Sequence, residues 1–187
     1  MEIKKTRIAG CYTITPAVYA DERGHFFESF NQQRFEDRIG QSTHFVQDNQ
    51  SFSTKGVLRG LHFQKGKFAQ AKLVRVLQGE VLDVAVDLRS ESPTYGNVFS
   101  TTLSHENHTQ LFIPRGCAHG FITLSETAVF AYKCDNYYEK DAEGGLLYND
   151  PFFSIDWQIP EDELIISEKD KILPTFKELM QKPILKF

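Results

Sequence analysis

Cysteine is scarce in this 187-residue chain: Cys11, Cys117 and Cys134 are odd in number and form no C-x-x-C pair. That spacing excludes a disulfide framework and a zinc knuckle and points to a reducing compartment. Long apolar runs are missing too, since nothing approaches the roughly 18 residues that a membrane helix requires. The opening MEIKKTRIAGCYTI is charged and then alternates, without an apolar centre of signal-peptide length, so the expected location is the cytoplasm. Positive charge is not in excess: 21 Lys and Arg stand against 25 Asp and Glu, a formal net charge of −4, which removes the whole-chain electrostatic footprint of a nucleic-acid binder. Helix signals are few. One covers Gln32–Ile39, closed by Gly40, and another covers Thr175–Gln181, after Pro174.

Aromatic residues are abundant, with 16 Phe, and flat rings suit the pleated, half-buried surface of a sheet. Turn residues recur at short intervals (Gly24, Gly40, Gly56, Gly79, Pro93 with Gly96, Pro114 with Gly116, Gly144 with Gly145, Pro151) and separate runs rich in β-branched and aromatic residues. The clearest strand is Val81–Leu88, where Leu82, Val84, Val86 and Leu88 share one face while Asp83 and Asp87 share the other. Further strands are expected at Arg7–Thr15, His25–Phe30, Phe45–Ser53, Gly56–Phe63, Lys72–Leu77, Val98–Leu103, Gln110–Ile113, Gly120–Leu124 and Thr127–Lys133. About ten strands must manage their edges, and a closed barrel or double-sheet jelly roll does so. The expectation is an all-β, cupin-type jelly-roll β-barrel with a few short peripheral helices, spanning residues 1–187 as one domain without repeat or linker.

Two histidines stand out, His62 in GVLRGLHFQ and His119 in IPRGCAHGF. Both segments resemble cupin motifs. The first such motif supplies a glycine, five residues and then H-x-H with a later carboxylate; Gly56 and His62 match, but Gln64 replaces the second His. Counting back from Gly79, the place of the metal-binding Glu is taken by Lys72, whose ammonium has no lone pair for a metal. The second motif, P-x-G-x-x-H, is complete in Pro114, Gly116 and His119. Two His without a carboxylate fall short of the three protein ligands usual for catalytic zinc, so no bound metal is expected. A near-neutral imidazole can instead take a proton from carbon beside a carbonyl, and a nearby cation can stabilise the enolate oxygen. Inversion then needs an acid on the opposite face, and Tyr132, sharing a strand face with Phe130 and Ala128, is a plausible donor.

The segments FVQDNQSFSTKGVLRGLHFQ, AKLVRVLQGEVLDVAVDLRSESPTYG, QLFIPRGCAHGF and AYKCDNYY, with the later NDP and SEKD, together resemble the dTDP-4-dehydrorhamnose 3,5-epimerase family across nearly the whole chain. The resemblance implies a double epimerase that converts dTDP-4-dehydro-6-deoxy-D-glucose into the L-rhamnose precursor without cofactor. It makes His62 the general base, Asp170 the carboxylate that orients it, Tyr132 the acid and Lys72 the cation facing the C4 carbonyl. It places His119 against the sugar, Arg23 and Arg59 on the diphosphate, and Tyr138 on the base or nearby nucleotide groups. Glu28, Gln47 and Asn49 match nucleotide-contacting positions; Phe26 shares a face with Glu28, and Gln47 with Asn49. Glu143 and Lys169 match further binding positions. The resemblance also implies a homodimer with an exchanged N-terminal strand, the edge Arg7–Thr15 being a natural partner surface.

Plainer readings exist for each residue. His62 alone is a structural histidine, Lys72 a surface lysine whose stem covers apolar area, Tyr132 a core tyrosine paired to a carbonyl, and Arg23 in DERG an ordinary turn residue. Asp170 beside Glu168, Lys169 and Lys171 reads as a solvated charge cluster. Competing functions are a 3- or 5-epimerase of a related sugar nucleotide, a metal-dependent cupin, or a binding module that kept the barrel without its chemistry. Arg59 and His62 lie three apart, so a regular strand would point them to opposite faces unless Gly60 introduces a bulge.

Overall fold

The computed structural model describes residues 1–181. Its first sheet is six-stranded, in the order β1 (Glu2–Lys5), β2 (Tyr12–Thr15), β10 (Gln110–Ile113), β7 (Lys72–Gln78), β12 (Thr127–Cys134), β5 (Gln47–Thr54). The second runs β13 (Glu143–Gly145), β6 (Val57–Gln64), β11 (Cys117–Thr123), β8 (Glu80–Asp87), β9 (Val98–Ser104), and β14 (Ile165–Ile166) pairs in parallel with β6. A separate hairpin joins β3 (Tyr19–Asp21) to β4 (Gly24–Phe26). Apart from β14, all these pairings are antiparallel, and the two large sheets form the expected jelly roll.

Three apolar layers account for this arrangement. Val74, Val76, Leu111, Ile113, Ala128 and Phe130 of the first sheet meet Val81, Ala85, Leu103, Cys117 and Phe121 of the second, filling the barrel interior. The Phe121 and Phe130 rings stack across it with centroids 4.1 Å apart. The outer face of the second sheet is covered by Leu146, Trp157, Phe176 and Leu179, packed on Leu58, Leu82, Val84, Val86 and Ile122. Strand β8 is therefore buried on both faces. Its alternation identifies two faces correctly, but the Leu82–Val84–Val86 face lies under the C-terminal segment and the Asp83 face looks into the barrel.

The outer face of the first sheet packs against helix α1 (Gln32–Ile39) through Phe35 and Ile39. Asn31 caps that helix by accepting from the Arg34 N–H, and Gly40 closes it with φ of 76°. Helix α3 (Phe176–Met180) starts from a capping box of Thr175 and Glu178, close to the expected position. Helix α2 (Glu168–Lys171) carries no signal in the sequence reading. Two strand expectations are corrected. Arg7–Thr15 is not one strand, because Cys11 N–H donates to the Ile8 carbonyl and Gly10 takes φ of 77°, which turns β1 into β2. Nor is it a free edge, since β2 lies between β1 and β10. The expected strand His25–Phe30 ends at Phe26, beyond which Phe27 packs at a tilt against His108 and Phe30 joins the Phe35–Phe45 ring cluster.

Candidate active site

The site is built around an irregularity in β6. Across the β6–β11 pair, His62 faces His119 and Arg59 faces Phe121, so Gly60 and Leu61 together oppose the single residue Gly120. This bulge requires glycine on both strands. Gly60 has φ of 130°, and a Cβ there would lie 2.6 Å from the Gly120 Cα; one on Gly120 would lie 2.7 Å from the Arg59 carbonyl oxygen. The extra residue rephases the strand, so Arg59 and His62 both line one cavity of about 610 Å³ with Lys72, His119, Tyr132, Lys169 and Asp170.

His62 Nε2 lies 2.7 Å from Asp170 Oδ1, a carboxylate buried to 4% exposure although its neighbours on α2 are solvated. The solvated-cluster reading of SEKD thus fails for Asp170 alone, because one turn of helix points it inward while Glu168, Lys169 and Lys171 stay out. Burial would raise the Asp170 carboxyl, but bonds from His62 and from the Gly60 N–H outweigh it and hold the group below the usual range. A carboxylate accepting from Nε2–H leaves the imidazole lone pair on Nδ1.

On the adjacent strand His119 Nε2 lies 2.9 Å from Asp83 Oδ2, and both residues are buried. Burial keeps His119 below the ordinary histidine range, and Asp83 partly opposes it. Among the described residues the other Asp83 oxygen has no hydrogen-bond partner. Lys72, on β7, keeps a little surface toward the cavity, makes no hydrogen bond or ion pair among the described residues, and holds Nζ 5.8 Å from the centroid of the Tyr132 ring. Burial lowers its pKa, with Cys134, Asp83 and Glu143 acting the other way. Burial, then Cys134, push the Tyr132 phenol up, so it stays protonated beyond the ordinary tyrosine range. Among the described residues no group of three or more His, Cys, Asp or Glu is placed to hold a metal ion.

A second cavity of about 270 Å³ shares His62, Lys72 and Tyr132 with the first and adds Gln47, Asn49, Gln64, Tyr138 and Glu143. Here the Gln47 amide donates to Asn49 Oδ1 at 3.0 Å, Tyr138 hydroxyl donates to Glu143 Oε2 at 2.9 Å, and Lys169 Nζ pairs with the same Glu143 oxygen at 2.7 Å. Eleven of the site residues expected from sequence therefore surround two joined cavities.

Arg23, Phe26 and Glu28 line neither cavity. They lie on or beside the β3–β4 hairpin, whose residues are all exposed. Arg23 is held by Asp21, and Glu28 pairs with Arg34 at 3.1 Å. Phe26 opens on a different cavity, formed with Ile14, Phe30 and Phe35. The strand that would have carried Phe26 and Glu28 inward ends too soon. Asp83 is the residue that sequence reasoning noticed without giving a role; its signal was an acid inside the most apolar strand.

Residues 5–178 match the family model for dTDP-4-dehydrorhamnose 3,5-epimerase. This chain belongs to that family. The Salmonella typhimurium dTDP-4-dehydrorhamnose 3,5-epimerase is 52% identical over 96% of this chain and 98% of its own. A crystal structure of the Elizabethkingia anophelis enzyme of that name superposes with a TM-score of 0.92 at 57% identity, covering 95% of this chain and 97% of the other. The Legionella pneumophila dTDP-6-deoxy-D-glucose-3,5-epimerase, solved with dTDP-4-keto-L-rhamnose, gives a TM-score of 0.93 at 46% identity, covering 100% and 98%. Membership of this epimerase family fits a site that offers a base, a cation and an acid around one space. Among the described residues no helix is long and apolar enough to cross a membrane.

Proposed function

We propose that this chain inverts C3 and C5 of dTDP-4-dehydro-6-deoxy-D-glucose to give dTDP-4-dehydro-L-rhamnose, the precursor step of L-rhamnose synthesis, using side chains alone. The observation that carries the reading is the meeting of the His62–Asp170 pair, the Lys72 ammonium and Tyr132 at one cavity. C3 and C5 both flank the C4 ketone, so one base and one cation can serve both. His62 Nδ1 takes the proton as the C–H bond breaks and its electron pair moves into the carbonyl, where Lys72 meets the growing negative charge on O4. Collapse of the enolate takes a proton from the Tyr132 hydroxyl on the opposite face; the phenolate then recovers one from solvent while His62 releases its own to solvent, which restores both groups. His119 contacts the sugar. Arg59 takes the diphosphate, and Gln47, Asn49, Tyr138, Glu143 and Lys169 hold the nucleotide end.

Purified protein incubated with the substrate in deuterated water tests this by the NMR signals at C3 and C5. Tyr132→Phe is expected to keep exchanging deuterium while inversion falls by about 10²-fold or more, since His62 can return a deuteron to the face it left. Equal loss of exchange and inversion would remove Tyr132 from the role of acid.

The reading extends to a cytoplasmic enzyme working as one cupin-like domain over residues 1–187, and to a homodimer. Support for the dimer is the hairpin that leaves Tyr19 at 68% and Phe26 at 70% exposure. A partner's cavity would give Arg23, Phe26 and Glu28 the substrate that their own chain keeps from them. Sedimentation velocity should show the dimer mass; a monomer at every concentration would end this part.

A further inference from the structure

Gln64 stands where the second histidine of the cupin metal motif would be, and its side chain is only 5% exposed. A buried primary amide must find partners for two donors and an acceptor. In this chain it finds all of them in backbone: Nε2 donates to the Phe68 carbonyl at 2.9 Å and the Tyr137 carbonyl at 3.2 Å, while Oε1 accepts from the Glu139 N–H at 2.7 Å. We propose that Gln64 is a positioning residue for nucleotide binding, fixing the loop that presents Tyr138. This rests on the reading of Tyr138 as the group that stacks on the base.

The loop needs such a device. Residues 135–139, between β12 and the turn Lys140–Ala142, belong to no strand. Their backbone groups are met mainly by side chains: Gln70 donates to the Asn136 carbonyl at 2.7 Å, Gln64 holds Tyr137 and Glu139, and Gln47 Oε1 accepts from the Tyr138 N–H at 3.0 Å. Three glutamines thus bracket the residue whose ring, 54% exposed, forms part of the wall of the smaller cavity. An exposed ring on an untied loop would have to be ordered by the ligand, and that ordering is subtracted from affinity. Tying the backbone in advance avoids the loss. Only Gln supplies two donors and one acceptor at this reach: Glu would turn a carboxylate toward two carbonyls, and Met would offer neither donor nor a comparable acceptor.

The test is Gln64→Met, which conserves volume, with dTDP itself as the binding probe. Dissociation constant for dTDP and KM for the 4-keto sugar nucleotide should each rise about tenfold, while kcat stays within about threefold, because His62, Lys72 and Tyr132 keep their own supports. The Glu139 amide should lose hydrogen-exchange protection and regain it when dTDP binds. A cycle with Tyr138→Ala locates the effect. If Gln64 acts through Tyr138, adding Gln64→Met to Tyr138→Ala weakens dTDP by less than about twofold. Full multiplication of the two losses, or unchanged dTDP binding in Gln64→Met, overturns the proposal. Unchanged binding in Tyr138→Ala instead removes the stacking role of Tyr138, a separate failure. Should Gln64→Met not fold, Gln64→Asn draws the amide back by one methylene and is read in the same way.

Discussion

Replacing His62 by Ala is expected to lower kcat/KM by about 10²–10⁴-fold and to stop deuterium entering at both C3 and C5. The loss should fall on both carbons because C3 and C5 flank the same ketone and one imidazole, presented by the β6 bulge with Asp170 behind it, is proposed as the base for both. Each factor of ten is about 1.4 kcal/mol of transition-state stabilisation. Asp170→Asn separates orientation from mere packing. An Asn amide can donate to Nε2, which moves the imidazole proton to Nδ1 and removes the lone pair that the reaction needs. Shape is kept while activity falls steeply; if exchange at C3 and C5 survives Asp170→Asn at a near-normal rate, the pair is structural and the base lies elsewhere.

Lys72→Met should lower kcat by about 10²–10³-fold with little change in KM, the pattern of an interaction made as charge develops on O4 rather than in the ground state. A pH dependence follows. Burial lowers the Lys72 pKa from the ordinary lysine value, so the ammonium is lost as pH rises through this depressed value and activity declines on the alkaline side. Burial holds Cys134 neutral up to about 11, which leaves Asp83 and Glu143 as the negative charges that Lys72 feels near neutrality. Asp83→Asn removes one of them while keeping an oxygen for the His119 Nε2–H. The Lys72 pKa then falls further, and the alkaline limb of kcat should move to lower pH. Tyr132 is not expected to carry that movement, because burial, Cys134 and Arg59 shift its phenol and Asp83 does not act on it. An alkaline limb unmoved by Asp83→Asn would mean that another group sets it.

Much of the fold was legible because period-two alternation and turn residues are local signals. The strand Val81–Leu88 was found almost to the residue, as was the helix Gln32–Ile39 with its Gly40 stop. The errors came where long-range contacts decide. A continuous run such as Arg7–Thr15 conceals the turn at Gly10, and a stretch such as His25–Phe30 remains a strand only while another strand lies beside it. Strand β14 and helix α2 are too short to give any periodicity of their own, and both exist because β6 and the cavity wall receive them.

Sequence by itself determined the jelly-roll class, the break in the metal-ligand pattern at Gln64 and Lys72, and, through resemblance, the reaction and the residues proposed to perform it. Those properties depend on residue identity and short spacing, which a chain carries before it folds. Tertiary structure decided three other things. It turned Arg59 and His62 to the same cavity, because the bulge opposite Gly120 adds a residue to one strand and not to its partner. It buried Asp170 against His62 across 108 positions of chain. It set Asp83 behind His119 and left Arg23, Phe26 and Glu28 outside, since which face of a strand lies inward is fixed by what packs on the other face and not by the alternation that reveals the strand.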